Sequence, residues 1–242
     1  MGYFQLDRRT GAPVDHNVAP AAGDTSLMAE LKQLFRAMHT GTPLDRFPQA
    51  AAMFTACLRQ YESAAEQTVV LKQLARNLYL LAALADAHWR HQAAMTEDVG
   101  AATGGRPLEE CARLLSRAFT VTLTDRSGSR RAASLLIVVT LLRCYFRLDT
   151  VRLCGNIVRA VEMAPDYPDI GTAFPKAEAV AYWYFRGRVA LDQQDYQKAV
   201  ESLQAAVYWM PARGAERQLR RALVYLIVAR MISTGGVPSD PE

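Results

Sequence analysis

A run of small and large side chains at fixed spacing between Trp183 and Pro211 constrains the fold more than any other feature of this 242-residue chain. Its defining positions are Trp183, Gly187, Tyr196, Ala199, Leu203, Ala206 and Pro211. Gly187 and Ala199 leave room for two antiparallel helices to approach closely, because neither carries a bulky side chain. Trp183 and Leu203 are then placed to fill the groove between the helices. The pattern therefore predicts a tightly packed helical hairpin.

This order of residues matches the template of the tetratricopeptide repeat, a helix–turn–helix unit of about 34 residues. Trp183 and Gly187 fall on the first helix of the template, Tyr196 opens the second, and the proline ends the unit. Arg186 and Ala190 depart from the template, which usually has Leu and Tyr at these two positions. The match predicts one hairpin of this type.

A weaker copy of the pattern lies one unit earlier in the chain. Asp149 and Asp195 stand 46 residues apart in two predicted inter-helix turns, and Ala160 and Pro165 precede their counterparts by the same offset. Because the offset exceeds the template period, residues 164–175 are predicted to form an inserted loop. A single hairpin cannot bury its apolar face, so neighbouring hairpins must stack. The sequence thus predicts an all-α fold of stacked helical hairpins, a tetratricopeptide-like right-handed superhelix.

Apolar residues recur at intervals of three and four along most of the remaining chain, as in amphipathic helices. The short alternating stretch at residues 119–124 is interpreted as a frayed helix end, and Gly41-Thr42-Pro43 as the stop of a helix. Helices are predicted after Ser26, over two segments between Pro48 and His91 broken near residues 63–68, from Pro107, and at about 131–147, 150–163, 175–192, 195–209 and 214–233.

These elements predict four segments along the chain. They are a flexible tail at 1–25, N-terminal helical repeats at 26–106, a tetratricopeptide-like helical part at 107–235, and a short tail at 236–242. The longest apolar run, from Ala132 to Leu142, is shorter than the roughly 20 residues that cross a bilayer, so no membrane association is predicted. The chain starts without the cationic-then-apolar order of a secretory signal, which makes an intracellular protein the default.

The sequence offers no constellation for catalysis. It contains none of the common phosphate-binding, dinucleotide-binding, zinc-protease or nucleophile-elbow motifs. His88 and His91 lie one helical turn apart, a spacing that could bind metal, but no neighbouring Cys, Asp or Glu completes a site, which favours an exposed helix face. The four cysteines are widely spaced and predicted to be buried and reduced. We therefore expect no enzyme activity, no cofactor, no metal and no small-molecule substrate.

Positive charge is concentrated near the C-terminal end of the sequence. Five arginines against Glu216 alone give +4 within residues 213–230, which equals the net charge of the whole chain. Such a patch is either a solvated face or a contact with nucleic acid or an acidic protein. Its candidate contact residues are Arg213, Arg217, Arg220 and Arg221. The aromatic run at residues 182–185 could stack on bases, but its spread around a helix favours a place in the core.

Four stretches of this chain are similar to a known family, the PCI-domain subunits of the nuclear mRNA-export complex (transcription-and-export complex two). The family also includes the signalosome-associated subunit-twelve-like proteins. The resembling stretches are the turn at 125–127, the segment LLRCYFRLDTVRLCGNIVRAVE at 141–162, and the segments 182–207 and 224–239. They lie within the segment from Leu108 to Ser239, which covers a little over half of the chain. The segment at 141–162, with its aromatic pair, short turn and following LC-x-x-I-x-RA helix, carries the resemblance most specifically.

The resemblance implies that the chain is the helical-repeat half of a PCI module, with a winged helix expected after Glu242. It implies a non-enzymatic scaffold or adaptor subunit in the nucleus, at nuclear pores, and also in the cytoplasm. The implied partners are a larger PCI-containing scaffold protein, a small acidic subunit of the Sem type, and RNA or DNA. A splicing- or signalosome-associated subunit is one alternative. A tetratricopeptide-type peptide-binding module without a nucleic-acid role is the other.

Overall fold

The computed structural model describes residues 41–61, 68–95, 105–125, 129–211 and 213–234. These residues form α-helices joined by turns and one 3₁₀ helix, and they contain no strand, as predicted. The helices are α1 Pro43–Tyr61, α2 Thr68–Met95, α3 Pro107–Leu123, the 3₁₀ helix Ser129–Ala133, α4 Ser134–Arg147, α5 Val151–Glu162, α6 Ile170–Ala173, α7 Lys176–Asp192, α8 Tyr196–Trp209 and α9 Glu216–Thr234. The predicted tails, the helix after Ser26 and most of the loop before Pro107 lie outside the described residues.

The start of α1 corrects one prediction. Pro43, interpreted from sequence as a helix stop, is the first residue of α1, and Pro48 lies inside the helix. Thr42 precedes the helix, and its amide and hydroxyl both donate hydrogen bonds of 2.8 Å to the carboxylate of Asp45. The amide of Asp45 donates to the Thr42 hydroxyl in return, which completes a capping box with proline at the first helical position. The order Thr-Pro-x-Asp therefore marks the start of a helix rather than its end.

The chain divides into two compact units, the first ending at Cys144 and the second beginning at Tyr145. In the first unit, α1 packs against α2 and α2 against α3. The break predicted near residues 63–68 falls almost wholly outside the described residues, between α1, which is described to Tyr61, and α2, which is described from Thr68. The alternating stretch at 119–124, interpreted from sequence as a frayed helix end, is regular helix as far as Leu123, and within it the Thr122 hydroxyl donates back to the Ala118 carbonyl at 3.0 Å.

The second unit is built around the α7–α8 hairpin, and it confirms the predicted close approach. A Cβ atom on Gly187 would lie 2.6 Å from Cγ of Leu203 and 3.3 Å from the Ala199 carbonyl oxygen. Ala199, Leu203 and Ala206 are fully buried, as the pattern predicts. Trp183 is half-buried and lies against Trp209 at the end of α8, with ring centroids 6.2 Å apart.

The turns before α5 and α8 show the internal repeat directly. Asp149 and Gln194 both have a left-handed backbone, with φ of 59° and 62°. The amides of Thr150 and Asp195 each donate 2.9 Å hydrogen bonds to carbonyls five residues earlier. The two turns therefore correspond at an offset of 45 residues rather than the predicted 46, so Asp149 pairs with Gln194 instead of Asp195. At this offset the buried Cys154, Val158 and Val161 match Ala199, Leu203 and Ala206.

The segment predicted as an inserted loop at 164–175 does connect the two repeats, but it is partly ordered into helix. It contains the single-turn helix α6, whose N-cap residue Asp169 accepts a 3.0 Å hydrogen bond from the Thr172 amide. The rings of Tyr167 and Phe174 stack across it, 5.8 Å apart. The segment is therefore a packed connection within the second unit.

Candidate partner and nucleic-acid interface

Helix α9 packs against the rest of the second unit along one narrow stripe of buried residues. Ala222, Leu226 and Ala229 are its buried residues. Leu226 and Ala229 belong to one apolar cluster with Ala199 and Leu203, which lie in the first half of α8. Since the connection from α8 is short, the two helices run antiparallel, and the second half of α9 packs on the first half of α8.

The side of α9 opposite to this stripe carries exposed apolar residues in its second half. Their exposed fractions are 37% for Leu223, 58% for Val224, 47% for Ile227, 45% for Val228, 40% for Met231 and 50% for Ile232. The pairs recur every four residues, so the six side chains form one continuous face, which we call the apolar face. Large contiguous apolar patches of this kind mark interaction sites in soluble proteins.

The first half of α9 carries basic residues on this same side, opposite to the buried stripe. At about 100° per residue, Arg217, Arg220 and Val224 fall on one side of α9, opposite to Ala222. Arg221 borders them, Arg213 lies in the connection before the helix, and all four candidate arginines are exposed. The four candidate arginines therefore lie on the surface, and three of them group on one side of one helix. We call Arg217, Arg220 and Arg221 the basic face.

Two aromatic residues end α8 at the same end of the unit as the basic face. Tyr208 is 83% exposed and Trp209 is 38% exposed. The ring of Trp209 lies 5.3 Å from Nζ of Lys176 at the start of α7. The aromatic run at 182–185 is divided differently from the prediction: Tyr182 and Phe185 are buried, whereas Trp183 and Tyr184 are only half-buried.

A three-residue ionic cluster ties α5 to the α7–α8 hairpin. Glu162 accepts hydrogen bonds from Nε of Arg186 at 2.7 Å and from Nζ of Lys198 at 2.9 Å. Arg186 also donates to the Ser202 hydroxyl at 2.8 Å. Burial raises the pKa of Glu162, but the hydrogen bonds from Lys198 and Arg186 outweigh it, so the pKa lies below the usual glutamate value. Arg186, which departs from the repeat template, therefore joins the two repeats together with Lys198.

Replacing Glu162 with glutamine is expected to destabilise the protein at neutral pH and to make less difference in acid. A carboxylate with a lowered pKa stabilises the fold above its ordinary value of 4.5 and stops doing so as the pH falls through the lowered one. Urea unfolding of both proteins at pH 7 and near pH 3 measures the difference. Glu201→Gln, an exposed position on α8, is the control. A difference that grows in acid would contradict the cluster's role.

The described residues offer little for catalysis. Two open clefts of about 290 and 340 Å³ flank α7, and among these residues no three metal-binding side chains come together. His88 and His91 lie exposed on α2. All four cysteines are buried, as predicted, and burial raises the pKa of Cys57 and of Cys154 to about 12, which keeps these thiols protonated. No described helix is both long and apolar enough to span a bilayer.

Known proteins similar to this chain support the resemblance inferred from residues 108–239. Over 226 residues, 90% of its length, the chain is 30% identical to "Protein CSN12 homolog" of Mycosarcoma maydis. It is 36% identical over 135 residues, 54% of its length, to the protein of the same name from Schizosaccharomyces pombe. It is 28% identical over 221 residues, 89% of its length, to "PCI domain-containing protein 2 homolog" of Drosophila melanogaster. The chain is therefore similar to this group of proteins over most of its length.

The similarity to the CSN12 and PCI domain-containing protein 2 relatives reaches further than the sequence stretches that first indicated it. The match to the M. maydis protein also includes much of the N-terminal part, where only a helical pattern had been evident. The chain spans 31% to 53% of the length of these three relatives. No protein-family model matches it.

Proposed function

We propose that the chain is a non-enzymatic scaffold and adaptor subunit of a nuclear mRNA-export and transcription-coupled complex. The observation that carries the proposal is the outer side of α9, where an apolar face continues into a basic face. An apolar face open to water is suited to a protein partner, and a row of arginines to a polyanion. Similarity to relatives named for a PCI domain supports this proposal.

The apolar face is the proposed contact for the larger PCI-containing scaffold protein. Six large side chains between Leu223 and Ile232 would leave water when a partner covers them. Apolar side chains at the centre of such a contact and charged ones at its edge are the usual arrangement of protein interfaces. The basic face then lies at the edge, where it could meet carboxylates of a small acidic Sem-type subunit or phosphates of RNA or DNA.

In this proposal, residues 26–106 and 107–235 are successive helical parts of the repeat half of a PCI module, stacked as a right-handed superhelix. The matching turns before Val151 and Tyr196 support the repeat. The subunit acts in the nucleus at nuclear pores, and also in the cytoplasm. A splicing- or signalosome-associated role is the second candidate, favoured by the CSN12 names of two relatives.

Isolation of the tagged full-length protein from cells, with identification of the proteins that accompany it, tests the proposed complex. We expect a larger PCI-containing protein and a small acidic protein in constant ratio. Recovery with signalosome or splicing subunits instead would favour the second candidate. Recovery with short peptide-bearing clients, held at the cleft lined by Tyr182 and Trp183, would favour a peptide-binding module and contradict the proposal.

Reversing the charge of the basic face is expected to weaken RNA binding and to flatten its dependence on salt. If Arg217, Arg220 and Arg221 each neutralise one phosphate, their replacement by glutamate makes the negative slope of log K against log salt shallower by about 2. Fluorescence anisotropy with a labelled RNA between 50 and 200 mM salt, roughly the range over which such contacts weaken, measures it. Arg59, Arg152 and Arg159, exposed on α1 and α5, give a control with the same change in net charge. Equal slopes for the two triple variants would exclude the basic face as the contact.

A further inference from the structure

We propose that the aromatic and basic end of the second unit binds single-stranded nucleic acid, with an unpaired base stacked on Tyr208. This inference rests on the nucleic-acid part of the proposed function and states the form of the ligand. It is carried by the arrangement of Tyr208, Trp209 and Lys176, which the basic face does not include. We call these three residues the aromatic ledge.

Tyr208 presents most of its surface to solvent. Its side chain is 83% exposed, the largest exposed fraction among the large apolar and aromatic residues that the structure leaves open to water. Its ring meets that of Trp209 edge to face, with centroids 5.7 Å apart and planes inclined by 85°. An exposed aromatic ring offers a flat surface on which any base can stack, since every base has a π face.

Trp209 contacts two further side chains, which support its ring beside Tyr208. Its ring lies 6.2 Å from that of Trp183 on the neighbouring helix. Nζ of Lys176 lies 5.3 Å from the Trp209 ring centre, within the range of a cation–π contact. The ledge therefore brings a positive charge next to its aromatic surface, where a phosphate attached to a stacked base would lie.

The surroundings favour nucleic acid over a protein partner at this end. The antiparallel packing of α8 and α9 places the first turns of α9, with Arg217, at the end of α8 that carries Tyr208. Arg213 lies in the connection between them and is exposed. The apolar face lies on the second half of α9, away from the ledge. Aromatic rings among cations are typical of grooves that track a single strand, whereas a duplex hides its base faces.

The test is binding of a fluorescently labelled oligouridine of about 12 nucleotides, a length within the usual range of such sites, to the whole chain at low salt. We expect Tyr208→Ala to weaken binding roughly tenfold, as loss of one stacked base does, with an unchanged salt slope. Tyr208→Phe, which keeps the ring, should bind like the unchanged protein. Because Tyr208 is so exposed, the thermal unfolding of both variants should match that of the unchanged protein, which makes a folding defect a separable result.

Equal binding by Tyr208→Ala and the unchanged protein would overturn the inference. So would equal weakening by the Phe and Ala variants, or equal affinity for a duplex of the same length. If the unchanged chain binds no oligouridine, the inference fails. If Tyr208→Ala releases a co-isolated protein instead, the ledge is a protein contact and the inference fails as well. If the basic-face variants flatten the salt slope while Tyr208→Ala has no effect, the inference fails and the proposed function stands.

Discussion

Carboxylates introduced at Val224 and Ile227 are expected to release the protein partner from the chain while leaving its fold intact. The two side chains are 58% and 47% exposed, so glutamate at either position stays in water in the free protein and changes its stability by less than about 0.5 kcal/mol. In an assembly, the same carboxylates would be buried against apolar groups without a partner charge. The affinity should then fall at least a hundredfold, or about 3 kcal/mol.

The chain offers a matched control for this experiment. Val69 on α2 and Leu153 on α5 are 54% and 45% exposed, nearly the same as the two test positions. Val69→Glu with Leu153→Glu adds the same charge and removes the same kind of surface elsewhere. Co-isolation of the partner by each double variant, beside thermal unfolding of each, gives the comparison. Equal recovery with both variants would show that the apolar face is not the contact.

Gly187→Ala is expected to destabilise the second unit by about 1–3 kcal/mol, as overpacking of a close helix contact does. The added Cβ would stand 2.6 Å from Cγ of Leu203 and 3.3 Å from the backbone oxygen of Ala199. Leu203 is fully buried, so its branch point cannot move aside, and the two helices must separate. This cost outweighs the gain of about 1 kcal/mol that alanine usually brings inside a helix.

Gly155→Ala is the matched control, because Gly155 is also inside a helix and buried. The atom nearest to its added Cβ is the amide nitrogen of Gln193, the free end of a flexible side chain on an exposed residue. That side chain can turn away, so the helix-propensity gain should dominate and stability should hold or rise. Urea unfolding of the two variants separates the cases. A stable Gly187→Ala protein would contradict the close approach of α7 and α8.

The α7–α8 hairpin was predictable because its constraint is local. Gly187, Ala199 and Leu203 are set by the distance between two helices that are adjacent in sequence, so their spacing alone indicates the contact. The earlier repeat is detectable from sequence for the same reason, but the predicted offset between the two repeats is one residue too long. Residue identity aligns Asp149 with Asp195, whereas the backbone aligns Asp149 with Gln194, since these two residues share the left-handed conformation. Residue identity was a poorer guide there than the position of the turn.

The basic and apolar faces of α9 were only partly predictable. Arginines are seldom buried, so their exposure could be expected from sequence. The apolar face could not, because residues 223–232 are apolar almost all round the helix, and such a helix is usually covered on most sides. Which side meets α8 depends on tertiary packing by Ala222, Leu226 and Ala229. Two of these three buried residues are alanines, whereas all six residues of the apolar face are larger than alanine.

Two further features depended on contacts between distant parts of the chain. Arg186 looked like a defect in the repeat template, and only its hydrogen bonds to Glu162 and Ser202 reveal its role. Tyr208 comes two residues after Ala206, the last small position of the repeat pattern, and no feature of the sequence marks it as exposed. Its exposure results from ending α8 beside the connection to α9. Long-range pairing and solvent exposure are properties of the folded chain that residue spacing does not encode.

Hydrogen–deuterium exchange of the chain, alone and in the assembly isolated with it, tests the central claim most directly. If the outer side of α9 is the docking surface, amides from Leu223 to Ile232 should exchange more slowly in the assembly, because the partner suppresses local opening of this helix. Amides of α1 and α2, far from α9 in sequence, provide the internal reference. Unchanged exchange in α9, with protection confined to α1 and α2, would contradict the account.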